Sequence, residues 1–453
     1  MSSRKKFGEI SIIPQDGIEI AHDGRKFGEF DPDGGCRGSG SLQMSNAVET
    51  LERALGECRE GYSLPGAFYS DPGIFELECD AFLKRQWFVA GHQSELPNQG
   101  DYVVVEVAGA SIILVRGRDG ELHAMHNSCR HRGALICVEP KGSVRQLTCR
   151  YHAWAYRLDG SLQAWRHMPA GLDKADFGLV RCGVATFEGF IFITLDPANA
   201  PDFSTLTAHL KPYWAPYHLA ECKVVHRETY HMQANWKLAI ENNLECYHCL
   251  PSHPEYSSVS GFVRADEKIS PAAIEAHAVH RAKLESLLAG LGMPSERSEI
   301  RWVGGQLARA GIIPLSEGVS TASKGGEPVA PLLGELLAYN ESTTTGAFGF
   351  TSYLFAANDY ALSVTYIPRD AGRTDVVAKW LVRADAVEGR DYDLDALRWL
   401  WDETTKQDKA IIELNARGVE TRGYRPGPYA ELEGQTAEFV SQYLRLMRET
   451  ARG

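Results

Sequence analysis

The sequence predicts an α+β protein in two modules, a small all-β module followed by a larger one that mixes helices and strands. Three observations predict it. The chain has 453 residues, 44% of them hydrophobic, which exceeds one ordinary domain and suffices for two cores. From residue 88 to Pro197, short alternating apolar segments are separated by Gly-bearing turns. Beyond Asp196-Pro197, helical periodicity alternates with strand-like runs.

In chain order, residues 1–45 are rich in Gly and Asp (DPDGGCRGSGS) and read as an irregular extension. NAVETLERAL at 46–55 and IFELECDAFLKRQW at 74–87 read as helices, giving a helical lead-in over 46–87. The β module, 88–197, follows with DYVVVEV, ASIILVRG, ELHAMHN, WAYRLDG and GFIFITL. In the second module, 198–453, residues 205–219 read as helix, 222–234 as extended, 235–250 as helix up to Pro251, and 262–292 as helix. EGVSTASKGGEPVAP at 317–331 reads as a loop, and 347–356, 359–367 and 375–383 as strands. A long amphipathic helix is expected over 393–417, and no internal repeat is present.

Charge narrows the function classes. With 59 Asp plus Glu against 47 Lys plus Arg, the balance argues against a nucleic-acid or anionic-membrane binder. The N-terminal MSSRKKFGEISIIPQDG has no apolar core, and no later stretch approaches a membrane span, so a soluble cytoplasmic protein is expected. Ten cysteines in this length are not a disulfide scaffold; Cys36, Cys58, Cys79, Cys137, Cys182 and Cys222 share no spacing and read as reduced, mostly buried thiols.

Cys129 and Cys149 differ because each travels with a histidine. Cys129-Arg-His131 and Cys149-Arg-Tyr-His152 lie seventeen residues apart, each where a β segment gives way to a turn. Zinc is the competing reading, but zinc fingers usually group their two cysteines and their two histidines. One Cys with one His on each of two loops suits a diiron cluster, with thiolates on one iron and imidazoles on the other.

CRHRG followed by CRYHAWAY resembles the two cluster boxes of Rieske ring-hydroxylating-type oxygenases. The resemblance implies a Rieske 2Fe-2S cluster held by Cys129, His131, Cys149 and His152. Respiratory Rieske proteins carry one more cysteine in each box; Ala134 and Tyr151 stand there in this chain, so that disulfide cannot form and a lower potential is implied.

A second dense segment runs from Asn235 to His253, NWKLAIENNLECYHCLPSH. Asn235 is an expected helix N-cap. Trp236, Ile240 and Tyr247 are expected to face the core, with Asn242, Glu245 and His248 on the opposite stripe. Pro251 is expected to break the helix so that His248 and His253 converge. In the 393–417 helix the inward stripe reads Leu397, Trp401, Thr404, Asp408, Ile411, Asn415. An aspartate on such a stripe needs an ion pair with Arg or Lys, or a metal. With His248 and His253 it would complete a 2-His-1-carboxylate triad, an open-sided site for non-haem Fe(II).

ENNLECYHC…H resembles the catalytic-iron motif of the oxygenase (α) subunits of the same family, with Gln407-Asp408 at the late carboxylate. The resemblance implies a helix-grip-like catalytic domain with a central antiparallel sheet, mononuclear Fe(II) at His248, His253 and Asp408, and O2 as co-substrate. It further implies a homotrimer in which Glu245 joins His152 of a neighbouring subunit to His248, with Asn242 beside it as a catalytic candidate. Glu rather than the more common Asp at this bridge is similar to oxygenases acting on quaternary ammonium compounds. That implies hydroxylation of an N-methyl group, N-demethylation and release of formaldehyde. A separate NAD(P)H-dependent flavin/ferredoxin reductase is implied too, since no dinucleotide-binding Gly fingerprint follows a strand. Phe348, Phe350, Tyr353, Phe355, Tyr360 and Tyr366 are available for an aromatic cage or for the core. An aromatic-ring hydroxylase and a simple Rieske electron carrier are the competing functions.

Overall fold

Runs of Val, Ile and Phe pair into two large antiparallel sheets. The computed structural model describes residues 39–261, 271–296, 298 and 301–452. Most of the expected irregular extension, and the start of the 262–292 helix, lie outside the described residues. The first sheet contains β1 (Phe88–His92), β2 (Asp101–Val107), β3 (Ala110–Arg116), β4 (Leu122–His126), β5 (Lys141–Ser143), β9 (Arg181–Phe187) and β10 (Phe190–Thr194), in the order β1-β10-β9-β4-β3-β2-β5. A small second sheet, β6 (Leu147–Thr148), β7 (Ala155–Tyr156) and β8 (Leu162–Ala164), sits beside it in sequence. The unbroken apolar run of β3 follows from burial on both faces: Ile113 and Val115 pack with Trp154 and Tyr156, while Ile112 and Leu114 join the main core.

The larger sheet contains β11 (Cys222–Met232), β12 (Arg301–Val303), β13 (Gln306–Pro314), β14 (Ser342–Phe348), β15 (Ser352–Ala356), β16 (Ala361–Asp370) and β17 (Arg373–Arg383), in the order β11-β17-β16-β15-β14-β13-β12. One face, with Ala308, Ile312, Phe348, Leu354 and Leu381, packs on Trp214, Tyr217 and Leu288. The other faces the long Leu394–Val419 helix, whose N-cap Asp393 accepts from the Ala396 amide at 2.9 Å. The α+β class and the order of the two modules are as expected.

Several element boundaries differ. The first helix spans Ser39–Glu57, so it starts inside the expected extension. The expected strand 347–356 is a hairpin, β14 and β15 joined at Gly349, whose φ of +68° and whose approach to Gln86 exclude a side chain. The expected helix 205–219 is broken into short turns, Phe203–Thr207 and Lys211–Trp214 among them, consistent with its internal Pro212 and Pro216. The strands β12 and β13 and the C-terminal Gly434–Ala451 helix were not anticipated.

A buried ion pair ties three helices together. Lys237 Nζ lies 2.5 Å from Glu78 Oε1, and both side chains are fully buried. Trp236 Nε1 donates to Glu78 at 2.7 Å and the Tyr443 hydroxyl at 2.5 Å, so the carboxylate's lone pairs are shared among three donors. Among the described residues no helix is long and apolar enough to cross a membrane.

Candidate metal centres

The two cluster loops repeat one backbone pattern. In the first, Cys129 N donates to Ala134 O and Gly133 N to Cys129 O, at 2.9 and 2.8 Å. In the second, Cys149 N donates to Trp154 O and Ala153 N to Cys149 O, at 2.9 and 3.0 Å. The fourth residue after each cysteine is left-handed, Gly133 at φ +77° and Ala153 at +57°. Ala153 accepts the Cβ penalty of about 1–2 kcal/mol that Gly133 avoids.

This repeat buries both thiols and turns both imidazoles outward. Cys129 and Cys149 are 3% and 2% exposed, while His131 and His152 lie nearer the surface with their Nδ1 atoms 3.2 Å apart. Trp154 stacks on His131 and Tyr151 packs on His152. The Tyr156 hydroxyl stands 3.3 Å from Cys129 Sγ and accepts from the Arg130 amide at 3.0 Å. Two inner sulfurs and two outer nitrogens fit a diiron cluster with its imidazole-bound iron towards solvent.

The second segment folds differently from a single helix. Asn235 caps it as expected, accepting from Lys237 N at 3.0 Å, but the helix Trp236–Asn243 ends before Glu245. Glu245 then accepts from the Tyr247 and His248 amides, which winds the chain into a turn. A separate short helix, Cys249–Ser252, contains Pro251, so the break lies at 244–248 and not at the proline. Because of this turn Tyr247 is 59% exposed rather than in the core; Trp236 and Ile240 are buried as expected.

Convergence still results. Asp408 Oδ1 lies 3.0 Å from His253 Nε2 and 3.3 Å from His248 Nε2. Among the described residues, these three form the one set of three or more donors lying within 4.8 Å of one another. The four cluster donors are spread more widely, as two irons require and one zinc would not. Asp408 therefore meets two histidines and not the Arg or Lys of the competing reading.

The outer nitrogen of each histidine has its own acceptor. His248 Nδ1 meets Glu245 Oε1, and His253 Nδ1 donates to Gln407 Oε1 at 2.8 Å. Gln407 in turn donates to Glu255 at 2.8 Å. These bonds point both Nε2 atoms at Asp408, the arrangement that metal-binding imidazoles need. The Asn242 side-chain amide lies 3.2 Å from His248 Nε2. Burial pushes the His248 imidazolium down, but Asp408 and Glu245 outweigh it and hold it up at about 9. The role of Gln407 was not read from the sequence, although it precedes Asp408.

The cysteines flanking His248 were also missed: Cys246 and Cys249 form a disulfide, Cα–Cα 4.9 Å, which their Cys-x-x-Cys spacing allowed. Cys79, Cys137, Cys182 and Cys222 are buried free thiols as expected, Cys58 is half-buried, and Cys36 lies outside the described residues.

Comparison with known proteins decides the family. A profile described as "Ring hydroxylating alpha subunit (catalytic domain)" matches residues 219–449, and "Rieske [2Fe-2S] domain" matches 86–188. The chain belongs to the Rieske non-haem iron oxygenases. It is 34% identical over 397 residues to the glycine betaine monooxygenase oxygenase subunit of Pseudomonas aeruginosa, covering 86% of this chain and 91% of the relative. Its identity to the carnitine monooxygenase oxygenase subunit of Escherichia coli is 39% over 203 residues, 44% of this chain and 54% of the relative. A solved quaternary ammonium Rieske monooxygenase shares the fold, with TM-score 0.65 at 21% identity, covering 87% of this chain and 98% of that one. This oxygenase thus has a Rieske 2Fe-2S domain followed by a mononuclear-iron catalytic domain, and it is an enzyme of the Rieske monooxygenase type.

In this oxygenase a cavity of about 490 Å³ opens onto His248, His253 and Asp408. Of the six aromatics considered, Tyr353, Phe355 and Tyr366 line it, and Tyr256 and Trp401 add two more rings. Phe348 turns to the opposite face of the sheet, against Phe187 and Phe192. Phe350 packs on Trp236 and Phe439, and Tyr360 is fully buried with its hydroxyl donating to Ala322 O and accepting from Trp401 Nε1. Strand alternation accounts for Phe348, which pairs with Ser352, the neighbour of Tyr353; Phe350 and Tyr360 lie in the turns between strands.

Proposed function

We propose that this oxygenase hydroxylates an N-methyl group of a quaternary ammonium or betaine-like substrate. One oxygen atom of O2 enters the C–H bond, and the other leaves as water with two electrons and two protons. The N–CH2OH product then expels formaldehyde and a proton, leaving the demethylated amine. When bound, the mononuclear iron supplies O2 activation and the 2Fe-2S cluster supplies electrons. A separate NAD(P)H-dependent flavin/ferredoxin reductase feeds the cluster.

The observation that carries this reading is the aromatic lining beside the triad. Tyr256, Tyr353, Phe355, Tyr366 and Trp401 enclose the cavity next to His248, His253 and Asp408. Ring faces attract a desolvated quaternary ammonium by about 2 kcal/mol each, and such a cation cannot hydrogen-bond instead. The names of the relatives, glycine betaine and carnitine monooxygenases, support the same class. His248, His253 and Asp408 would hold the iron, Gln407 and Glu245 would orient the two imidazoles, and Asn242 stands close enough to touch the His248 ring.

The assembly we propose is a homotrimer in which Glu245 also accepts from His152 of a neighbouring subunit. Among the described residues, Glu245 makes no hydrogen bond with His152 of its own chain, and His152 is exposed. Tyr151, Leu135 and Val138 are exposed around the cluster, and Tyr247 and Leu250 around the iron loop, two apolar patches suited to burial against each other.

A panel of betaines, carnitine-like amines and aromatic acids, supplied with a surrogate reductase, tests the reaction. Formaldehyde formed in step with consumption of an N-methyl substrate is the expected outcome. Ring-hydroxylated acids without formaldehyde would replace this reading with that of an aromatic-ring hydroxylase.

A further inference from the structure

We propose that Glu241 relays protons from a second, polar cavity into the metal cavity, so that this second cavity is the proton inlet of the monooxygenase reaction. Each turnover consumes two protons with two electrons as one oxygen atom of O2 becomes water, whichever substrate is hydroxylated.

The second cavity holds about 390 Å³. Asn242, Glu245 and Ile412 line both cavities, so the two spaces meet across this short stretch of wall. The wall of the second is rich in hydroxyls and carboxyls, with Tyr69, Tyr424, Tyr429 and Thr436 beside Glu241 and Glu433. Asn415, Gly427 and Pro428, also on its wall, are exposed. A polar space of this size holds several waters, because each finds the polar partners it needs. The metal cavity offers no spare acid. Among the described residues lining it, the carboxylates are Glu245 and Asp408, and both are engaged with His248. A substrate seated against its aromatic wall also displaces water from that side.

Glu241 stands where such a relay must stand. It lies on the helix Trp236–Asn243, directly before Asn242 and four residues before Glu245. The Tyr69 hydroxyl donates to its carboxylate at 2.9 Å and the Tyr429 hydroxyl at 3.3 Å. The Tyr424 hydroxyl, also on this wall, lies 3.0 Å from Ser63 Oγ, which accepts from the exposed Gly427 amide. Around the carboxyl, Lys237 comes from the same helix, Glu433 from the turn Glu431–Glu433 and Tyr443 from the C-terminal helix. Lys237 is already paired with Glu78, so it attracts Glu241 without neutralising it. Burial, helped by Glu433, outweighs Tyr69, Lys237 and Tyr429 and holds the carboxyl up at about 7. A carboxyl poised there both takes a proton from water and releases one near neutral pH. The protonated group gives its proton to water at the Asn242–Glu245 wall, and the carboxylate regains one from water in the second cavity.

The full-length, metal-loaded protein is compared with Glu241→Gln, which keeps an oxygen for Tyr69, and with Glu241→Asp, which keeps a carboxyl. Cluster absorbance and iron content report that each variant is assembled. Infrared difference spectra from about pH 5 to about pH 9 should show a protonated-carboxyl band that disappears near pH 7 in the wild type and is missing from Glu241→Gln. Turnover is measured on whichever member of the substrate panel the wild type converts fastest. For Glu241→Gln we expect kcat to fall about a hundredfold at nearly constant KM, the scale of a lost proton-transfer group. The decline of wild-type kcat as pH rises through about 7 should vanish in that variant, its solvent deuterium isotope effect should increase, and Glu241→Asp should recover part of the rate. Wild-type kcat and pH profile in assembled Glu241→Gln, equal losses in Gln and Asp, or no titrating band would each overturn the relay. Glu241 would then serve only to tie Tyr69 and Tyr429 to the helix. A ring-hydroxylated product from the panel would overturn the demethylation reading and leave this test unchanged.

Discussion

Glu241 shows how a single side chain sets a pH dependence. Its carboxylate accepts from the Tyr69 hydroxyl at 2.9 Å and from Tyr429 at 3.3 Å, yet burial pushes it up from 4.5 to about 7. A raised carboxyl binds more protons folded than unfolded between those two values, so its contribution to stability falls as pH rises from about 4.5 to about 7. Glu241→Gln should therefore lose less Tm than the wild type between pH 5 and pH 8, by several degrees; parallel profiles would contradict this. At the same scale, the candidate metal-binding residues were legible because they are chemically rare in combination. Cys129, His131, Cys149, His152, His248, His253 and Asp408 could be named from spacing and resemblance, and the geometry brings them together as two groups. Gln407 was not legible, since its role depends on where a distant His253 ring comes to rest. Tyr247 was misassigned because helical periodicity was carried past the point where Glu245 turns the chain.

At the scale of elements, long and strongly patterned segments were read well. The Leu394–Val419 helix and β16 and β17 fall within a few residues of expectation. The hairpin of β14 and β15 was misread because the Ser342–Thr345 stretch of β14 gives no apolar signal and the turn offers only Gly349. Asn415, placed on the inward stripe, is exposed: it lines an open cleft with Tyr424 and Tyr429, while Ile412, Ala416 and Val419 take the buried side of the helix. Helix-to-helix anchoring was invisible, since the partners of Lys237 are remote in sequence. Lys237→Met should destabilise the catalytic domain by about 3–5 kcal/mol in urea unfolding, because Glu78 would be left buried without its cation. A loss below 1 kcal/mol would mean that Trp236 and Tyr443 satisfy Glu78 by themselves.

Over the whole molecule, the two modules divide the work. The β module buries sulfur and presents imidazole, and the larger seven-stranded sheet walls a cavity that the helix carrying Asp408 also lines. The order of modules, their class and the family were legible because each centre has a dense local motif; the cavity was not, since its wall draws on six strands and five α-helices. The rings that line the cavity were only partly legible, and three of the six candidates turned away. The most direct measurement of the central claim is a single turnover. The assembled enzyme is reduced at its cluster, freed of reductant, and exposed to O2 with a betaine while cluster oxidation and formaldehyde are followed together. Cluster oxidation that needs both substrate and mononuclear iron, accompanied by formaldehyde, is the predicted result. Oxidation at the same rate after the mononuclear iron is removed, with no formaldehyde, would contradict it.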